Sequence, residues 1–298
     1  MQHRSHPSLD LKIMTSTYNV WHQVGIPTLP NLNEQRHLYA LVDGAQVMEY
    51  RRHFLNVPGV VNQLALLGAD MLPDRVNASV HLLHLERLDV MNGLLHRLTK
   101  ASTSHGALSL LVTKSPLDAL ANALRMRLDV TLPDQFDCTN RFFDGRVAPH
   151  WVACLATEQK ERFCAFASQW WVVSHEHVWQ QLACSELHPD PFTTPFVINE
   201  AQQAAMIDAC YPYAVIDHFN ETDPELLERV APAAQYKWFR DALQVAERYG
   251  IDSGPETMLF CTLTLTRGPL FYEAPAWREG LLKLKKRQTR LADLMKAL

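Results

Sequence analysis

Two aspartates are the residues of this sequence whose type and position could do chemistry. Asp43 and Asp144 each follow an apolar run typical of a strand, and acids at strand ends in α/β folds often lie in clefts. With Arg141 nearby, the pair could serve a hydrolase or a transferase. Each aspartate also precedes a glycine, where a carboxylate closes a turn, and Arg141 and Arg146 are near enough in sequence to bond Asp144. We favour this structural role, and catalysis by Asp43 and Asp144 stays the alternative.

His175 and His177 are the nearest approach to a metal-binding motif. Two histidines on a helix face one ion only when they are three or four residues apart, and on a strand this pair would need a third ligand from elsewhere. The chain has 14 histidines, so a close pair arises by chance. No GxSxG, P-loop or GxGxxG sequence is present. The sequence therefore predicts no metal site and gives no support to motif-based hydrolysis or nucleotide binding.

Composition indicates a compact protein with a real core. Of the 298 residues, 47% are hydrophobic and 20% are charged. The 28 Lys and Arg residues face 32 Asp and Glu residues, which gives a formal charge of −4. Because there is no general basic excess to hold a phosphate backbone, the charge argues against a nucleic-acid partner. The length suits two lobes of modest size.

Cysteine usage and hydropathy predict where the protein works. The six cysteines are scattered without a CxxC pair, as expected for small buried hydrophobes in a reducing compartment. Residues 1–10 lack the apolar stretch of a signal peptide, and no window approaches the ~18 apolar residues of a membrane span. We therefore expect a soluble cytoplasmic protein with no membrane partner.

The first part of the chain alternates short apolar runs with helical periodicity, which predicts an α/β-like lobe with a central mixed sheet over residues 1–190. The predicted strands are 38–42, 80–85, 108–112 and 140–143. Ser115 and Pro116 are typical of an N-cap and a first helical residue. Apolar residues then follow at helical spacing from Leu117 to Leu128, and a similar apolar stripe covers 90–98.

The second part reads as an all-helical lobe over residues 196–298, which makes the whole chain α+β. Three prolines in 187–195 predict a stiff connection between the lobes. Helices are expected to begin at Asn199 and Pro224, and another should cover 233–250 and end at its glycine. The strict alternation in 262–266 is typical of a strand, so composition leaves that segment open.

The last stretch of sequence has one apolar and one basic face. Apolar residues recur by threes and fours from Trp277 to Leu298, with Gln288 as the single polar interruption. Seven Lys or Arg residues stand against two acids from Arg278 onward. A solvated helix face is the favoured interpretation, and a docking patch for an acidic partner is the alternative.

Most aromatic residues of the second lobe are expected to lie in the core, and at least one of them is expected to line a binding surface. Tyr and Trp dominate interface hot spots, and a groove lined by aromatic side chains between the lobes would hold an apolar helix or peptide. The candidates for this surface are Tyr213, Phe219, Trp238, Phe239 and Tyr249.

Three segments in a fixed order carry a resemblance to a known family. They are the apolar run and Asp43-Gly44 turn in 38–45, the helix start in 115–118, and the Arg-Phe-Phe-Asp segment in 140–147. In this order the chain resembles the type VI secretion effector-adaptor family. It departs from that family at Gly145, where relatives tend to carry proline, and at Gly68-Ala69-Asp70, where they tend to carry a Gly-Pro pair.

The resemblance implies an adaptor and chaperone. Such a protein binds the N-terminal segment of a cognate effector, keeps it soluble and hands it to the VgrG-type spike, without enzymatic activity and without a cofactor. It also implies that Asp43, Gly44, Arg141, Asp144 and Arg146 form a structural motif and that effector choice lies in the second lobe. A strand around Trp170 and a helix over 259–265 follow from the same resemblance.

Overall fold

The computed structural model describes residues 36–47, 60–67, 78–85, 105–174 and 178–297. The strands are β1 His37–Asp43, β2 Val60–Ala65, β3 Val80–Leu85, β4 Leu108–Thr113, β5 Asp129–Thr131, β6 Asp137–Thr139, β7 Gln169–Val173 and β8 Trp179–Leu182. The helices are α1 Leu117–Met126, α2 Ala148–Cys154, α3 Thr157–Phe163, α4 Glu200–Thr222, α5 Pro224–Leu227, α6 Pro232–Arg248, α7 Gly254–Arg267, α8 Pro275–Lys285 and α9 Leu291–Ala297. The α+β class is confirmed, with a helical C-terminal part.

One sheet dominates the N-terminal part. Its strand order is β2-β3-β1-β4-β7-β8, and neighbouring strands pair antiparallel. The alternation of apolar runs in the sequence does not indicate whether neighbouring strands are parallel or antiparallel. Every residue of β4 is buried, as is β1 from Leu38 onward. Because successive side chains point to opposite faces of a sheet, a fully buried strand means that both faces are covered at its centre.

Four predicted strands are confirmed and one is wrong. The runs at 38–42, 80–85, 108–112 and around Trp170 form β1, β3, β4 and β7. Residues 140–143 instead begin a series of turns, in which the Asp144 and Ala148 amides donate to the Arg141 and Asp144 carbonyls. The edge strands β2 and β8 were not predicted, because polar side chains such as Asn62 and Gln181 interrupt their apolar runs.

Helix α1 packs its apolar face on the sheet, but it begins one residue later than predicted. Pro116 occupies the N-cap position and Leu117 is the first helical residue. Ser115 therefore does not cap the helix, and its backbone N–H donates to Thr113 Oγ1 at 3.0 Å. Leu120 and Leu124 are among the residues that α1 buries.

The buried Arg127 holds the segment around Asp190 in place by hydrogen bonds. Arg127 is fully buried and donates to both carboxylate oxygens of Asp190 at 2.8 Å, and also to the Phe163 carbonyl at 2.7 Å. Its guanidinium lies 4.3 Å from the centre of the Phe192 ring. A buried charge is tolerated when it is paired and fully hydrogen-bonded, and this one anchors the proline-rich segment around Asp190.

The helical part starts and stops where its sequence signals indicate. Asn199 caps α4, Asp223 caps α5 ahead of Pro224, and Gly250 follows α6 with a φ of 75° that suits glycine. Residues 262–266 lie within α7, so the helix implied by the family resemblance is confirmed.

The final amphipathic stretch is two helices, α8 and α9, with a break between them. Arg287 has a φ of 56° at this break, and the Arg287 and Gln288 amides donate to carbonyls of Leu284 and Lys283. The buried residues of the two helices are Trp277, Gly280, Leu281, Leu284, Leu291 and Leu294. A polar residue at 288 therefore marks a turn and not a polar gap in one helix.

The chain divides into two compact units. The first comprises residues 1–129, 140–148 and 157–194, and the second comprises 130–139, 149–156 and 195–298. The stripe at 90–98 and the His175–His177 pair lie outside the described residues. Among the described helices, none combines the length and apolar character that crossing a bilayer demands.

Candidate functional site

The chain turns back at the end of β1 through the carboxylate of Asp43. This carboxylate accepts the Ala45 amide at 3.0 Å and the Gln46 side-chain amide at 2.7 Å. Residues Gly44–Gln46 form a single 3-10 turn that Asp43 caps. An aspartate followed by glycine produces this geometry because the carboxylate bonds backbone amides just ahead of it.

Asp144 lies at the centre of the second turn and is bound by two arginines. It accepts the Arg146 backbone amide at 2.9 Å, Arg146 Nε at 3.1 Å and Arg146 Nη2 at 2.9 Å. Arg141 Nη2 donates to it at 3.2 Å. A forked guanidinium on a carboxylate is a strong, directional pair.

Two side chains join the aspartates, which lie about a hundred residues apart in sequence. Gln46 Nε2 donates to Asp144 at 3.3 Å as well as to Asp43, and Arg141 Nη2 donates to Asp43 at 3.3 Å as well as to Asp144. We call Asp43, Gln46, Arg141, Asp144 and Arg146 the carboxylate clasp. The sequence did not single out Gln46, although its position three residues after a turn-capping aspartate could have indicated it.

The clasp leaves the two carboxylates little freedom to react. Asp43 and Asp144 are 2% and 1% exposed, and their oxygens accept from donors that neutralise or orient them. Arg141 is half-exposed, so the solvent meets a guanidinium and not an acid. This arrangement holds the turns at 140–147 against the end of β1.

The clasp closes tightly around a glycine. A Cβ added at Gly106 would lie 2.1 Å from Asp144 Oδ1 and 3.1 Å from Arg146 Nε. The Gly106 carbonyl also accepts the Gly145 amide at 2.9 Å. Only a residue without a side chain lets the Asp144 carboxylate approach this backbone.

Two of the five candidate aromatic residues belong to the core. Phe219 is 4% and Phe239 is 0% exposed, and their rings stack with centroids 5.5 Å apart. Expecting them at a binding surface was wrong in this structure, because α4 and α6 turn these faces toward each other. Helical periodicity marks an apolar face without saying whether another helix covers it.

Trp238 lines a cleft of about 300 Å³ in the second unit, between helices of its C-terminal part. Its indole Nε1 donates to Thr264 Oγ1 at 3.0 Å, which fixes the ring between α6 and α7. The lining residues are Ala234, Lys237, Trp238, Asp241, Ala242, Val245, Thr264, Pro269, Leu270 and Tyr272. Leu270 is 56% exposed, so an apolar side chain stands open to solvent here. We call this site the Trp238 cleft.

The rim of the Trp238 cleft is charged. Asp241 pairs with Lys237 one helical turn away and with Arg240. Burial acts to raise the pKa of the Asp241 carboxyl, but hydrogen bonds from Lys237 and Arg240 outweigh it and hold that pKa below its usual value. The acid therefore stays ionised, and the apolar floor lies behind a polar edge.

Tyr213 and Tyr249 are half-buried and lie elsewhere in the helical unit. Tyr213 packs against Tyr236 with ring centroids 4.6 Å apart, and Tyr249 packs on the core that Trp277 also joins. Leu270 and Tyr272 were missed by the sequence analysis. The sequence signal for an exposed position was that Leu270 directly follows Gly268 and Pro269, which end α7. Tyr272 lies two residues further on.

The described residues show neither a disulfide bond nor a metal site. All six cysteines are free thiols, and burial raises the pKa of Cys164 to about 11 and that of Cys261 to about 12. Within the described ranges, no group of three or more His, Cys, Asp and Glu side chains is arranged to hold a metal ion.

The comparisons with known proteins bear on the N-terminal part of the chain. Residues 38–162 match the family model described as "Domain of unknown function (DUF4123)". That family is associated with type VI secretion effector adaptors. The matched segment is less than half of the chain, includes every residue of the carboxylate clasp and ends before the Trp238 cleft. No curated protein and no solved structure matches this chain.

Proposed function

We propose that this protein is a cytoplasmic adaptor and chaperone of type VI secretion. It binds the N-terminal region of a cognate effector and promotes loading of that effector onto the VgrG-type spike. The observation that carries the proposal is the match of residues 38–162 to a family associated with such adaptors.

The carboxylate clasp supports a binding protein over an enzyme. Its carboxylates are buried and tied to Arg141, Arg146 and Gln46, which favours a scaffold for the adaptor segment. A hydrolase or transferase would need an acid that reaches substrate. The proposal therefore gives Asp43 and Asp144 no catalytic role.

The Trp238 cleft is the proposed contact for the effector. An amphipathic helix or peptide commonly binds by placing an apolar side chain in a groove that a polar rim surrounds. Trp238, Leu270 and Tyr272 offer apolar area, and Lys237 and Asp241 supply the rim. Tyr213 and Tyr249 remain secondary candidates, since both are half-buried.

The test is capture of the effector by tagged protein. We expect co-purification with the N-terminal region of a toxin encoded beside this protein's gene, followed by calorimetry. Leu270→Glu and Tyr272→Glu should weaken the affinity by about tenfold or more, because a charge desolvated against apolar area costs over 1.4 kcal/mol.

Ile207→Glu is the matched control, since Ile207 is an exposed apolar residue of the same unit outside the cleft. It should leave capture unchanged, and circular dichroism should show that all variants fold. Full capture by both cleft variants would rule out the Trp238 cleft. Failure to find any toxin or spike partner would rule out the adaptor function itself.

A further inference from the structure

The C-terminal helices present a basic surface interrupted by apolar side chains. Arg278, Leu282 and Lys285 of α8 follow one another at helical spacing, Lys286 comes directly after the helix, and all four are exposed. The adjacent stripe of the same helix, which includes Leu281 and Leu284, is buried in the core. We call the four exposed residues the basic stripe.

The basic character continues past α8. Arg287 and Arg290 lie in the turn and Lys296 lies in α9, all exposed. Residues 278–298 carry seven cations and two acids in a chain of formal charge −4. Leu282 is 47% exposed and Met295 is 38% exposed, so apolar area is available beside the charge.

Helix stabilisation explains only some of these cations. Lys283 and Lys285 lie in the last turn of α8, where a cation interacts favourably with the helix dipole. Arg290 instead occupies the residue before α9, and its carbonyl accepts the Asp293 and Leu294 amides. Ser, Thr, Asp or Asn would cap a helix there, and an arginine side chain cannot accept a hydrogen bond.

Arg287 is also placed at a position that local structure disfavours. Its φ of 56° is in the left-handed region, which glycine enters without steric cost and a side chain does not. An arginine at this position contributes charge to the surface at the expense of the turn. The backbone geometry of the turn and of the start of α9 therefore does not explain why arginine stands at 287 and 290.

The cations are open to a partner. Among the described residues, Lys283 is the only one of the seven that forms an ion pair, with Glu279 at 2.7 Å. Unpaired cations around an exposed leucine are complementary to an acidic segment that also carries apolar side chains. A phosphate backbone would use the charges and leave Leu282 without a contact.

We propose that the basic stripe, together with Arg287 and Arg290, docks an acidic, amphipathic segment of a partner protein. The carboxylates of the segment pair with Lys286, Arg287 and Arg290, and its apolar side chains cover Leu282. The proposal stands apart from effector capture in the Trp238 cleft, since it rests only on charge and exposure in α8, α9 and the turn between them.

The test measures fluorescence anisotropy of a labelled helical peptide of Glu and Leu, about 15 residues long. A peptide with Ser in place of Leu is the comparison, and the salt is about 0.15 M so that loose charge contacts are screened. We expect the Leu peptide to bind more tightly. Lys286→Glu/Arg290→Glu should weaken its binding by about tenfold or more, and Leu282→Ser should weaken it by at least about threefold.

Lys114→Glu/Arg229→Glu is the matched control, because it makes the same change in charge at exposed residues that belong to neither the basic stripe nor the turn after it. It should alter the affinity by less than about twofold. Arg287→Gly should raise the melting temperature and lower the affinity, a combination that a purely structural arginine would not give.

Four results would overturn the proposal. Three of them are no binding of the Leu peptide, equal losses of affinity in Lys286→Glu/Arg290→Glu and in the control variant, and an affinity that Leu282→Ser leaves unchanged. Vesicles containing phosphatidylserine and a DNA duplex serve as competitors. Displacement of the peptide from the stripe by either at lower concentration than by unlabelled peptide would assign the surface to a membrane or to nucleic acid.

Discussion

Asp144 shows how one side chain can determine the path of a segment. Its carboxylate accepts from Arg141, Arg146 and Gln46, and these donors come from both sides of the turn and from the end of β1. Phe142 and Phe143 make this segment look like a strand in sequence. The hydrogen bonds to Asp144 outweigh that β propensity, which is a weak and context-dependent preference.

Gly106→Ala should destabilise the protein by about 2 kcal/mol or more. The new methyl would occupy the space of Asp144 Oδ1, so the carboxylate must leave its partners or the backbone must shift. Urea unfolding followed by tryptophan fluorescence measures the change.

Gly254→Ala is the control for this substitution. No heavy atom lies within 4 Å of an added Cβ there, and the residue lies in α7. Alanine should leave stability unchanged or raise it by up to about 1 kcal/mol. A Gly106→Ala protein with the urea midpoint of the unaltered protein would contradict the closeness of the clasp.

Helix α4 begins with two reciprocal hydrogen bonds. Asn199 Oδ1 accepts the Gln202 amide at 2.9 Å, and Gln202 Oε1 accepts the Asn199 amide at 3.0 Å. The Gln202 side chain also donates to the Cys154 carbonyl at 3.1 Å. This capping box therefore fixes the start of the longest described helix and ties it to the end of α2.

Asn199→Ala should lower the free energy of unfolding by about 1 kcal/mol, because an orphaned helix amide loses its partner. Chemical denaturation monitored by circular dichroism at the helix minimum gives the value. Asn220→Ala provides the comparison, since Asn220 is exposed within α4 and alanine is the better helix former. Equal losses in the two variants would show that the cap contributes nothing.

At the scale of the whole molecule, the second unit is not continuous in sequence. The Thr131 amide donates to the Phe196 carbonyl at 2.9 Å, and the Ile198 amide donates to the Thr131 carbonyl at 3.1 Å. Trp151 also packs on Phe196. Segments that precede the proline-rich connection thus complete the unit that follows it.

When the chain is cut in the proline-rich connection, the two fragments should stay associated under native conditions. A protease site inserted between the exposed Thr193 and Thr194 would give two fragments that co-elute in gel filtration, because 130–139 and 149–156 pack within the second unit. The fragments should separate in denaturing urea. Separation of the fragments in native buffer would contradict this interleaving.

Much of the fold could be predicted because its signals are local. Apolar runs indicated β1, β3 and β4, capping residues indicated the starts of α4 and α5, and Gly250 indicated the end of α6. Strands β2 and β8 were not predicted, because they are edge strands with polar side chains. The break between α8 and α9 was not predicted, because Arg287 adopts a left-handed backbone conformation that is more typical of glycine.

The sequence by itself determined where β1, β3 and β4 lie, where α4, α5 and α6 begin to within a residue, which faces are apolar, and that two Asp-Gly turns exist. Only the tertiary structure decided that these turns share one clasp, that Phe219 and Phe239 are covered, and that Trp238 and Leu270 border a cleft. Hydrogen-bonded caps and periodic apolar faces depend on residues a few positions apart. Gln46 and Asp144 lie 98 positions apart, and such a contact forms only when the packed chain brings both ends together.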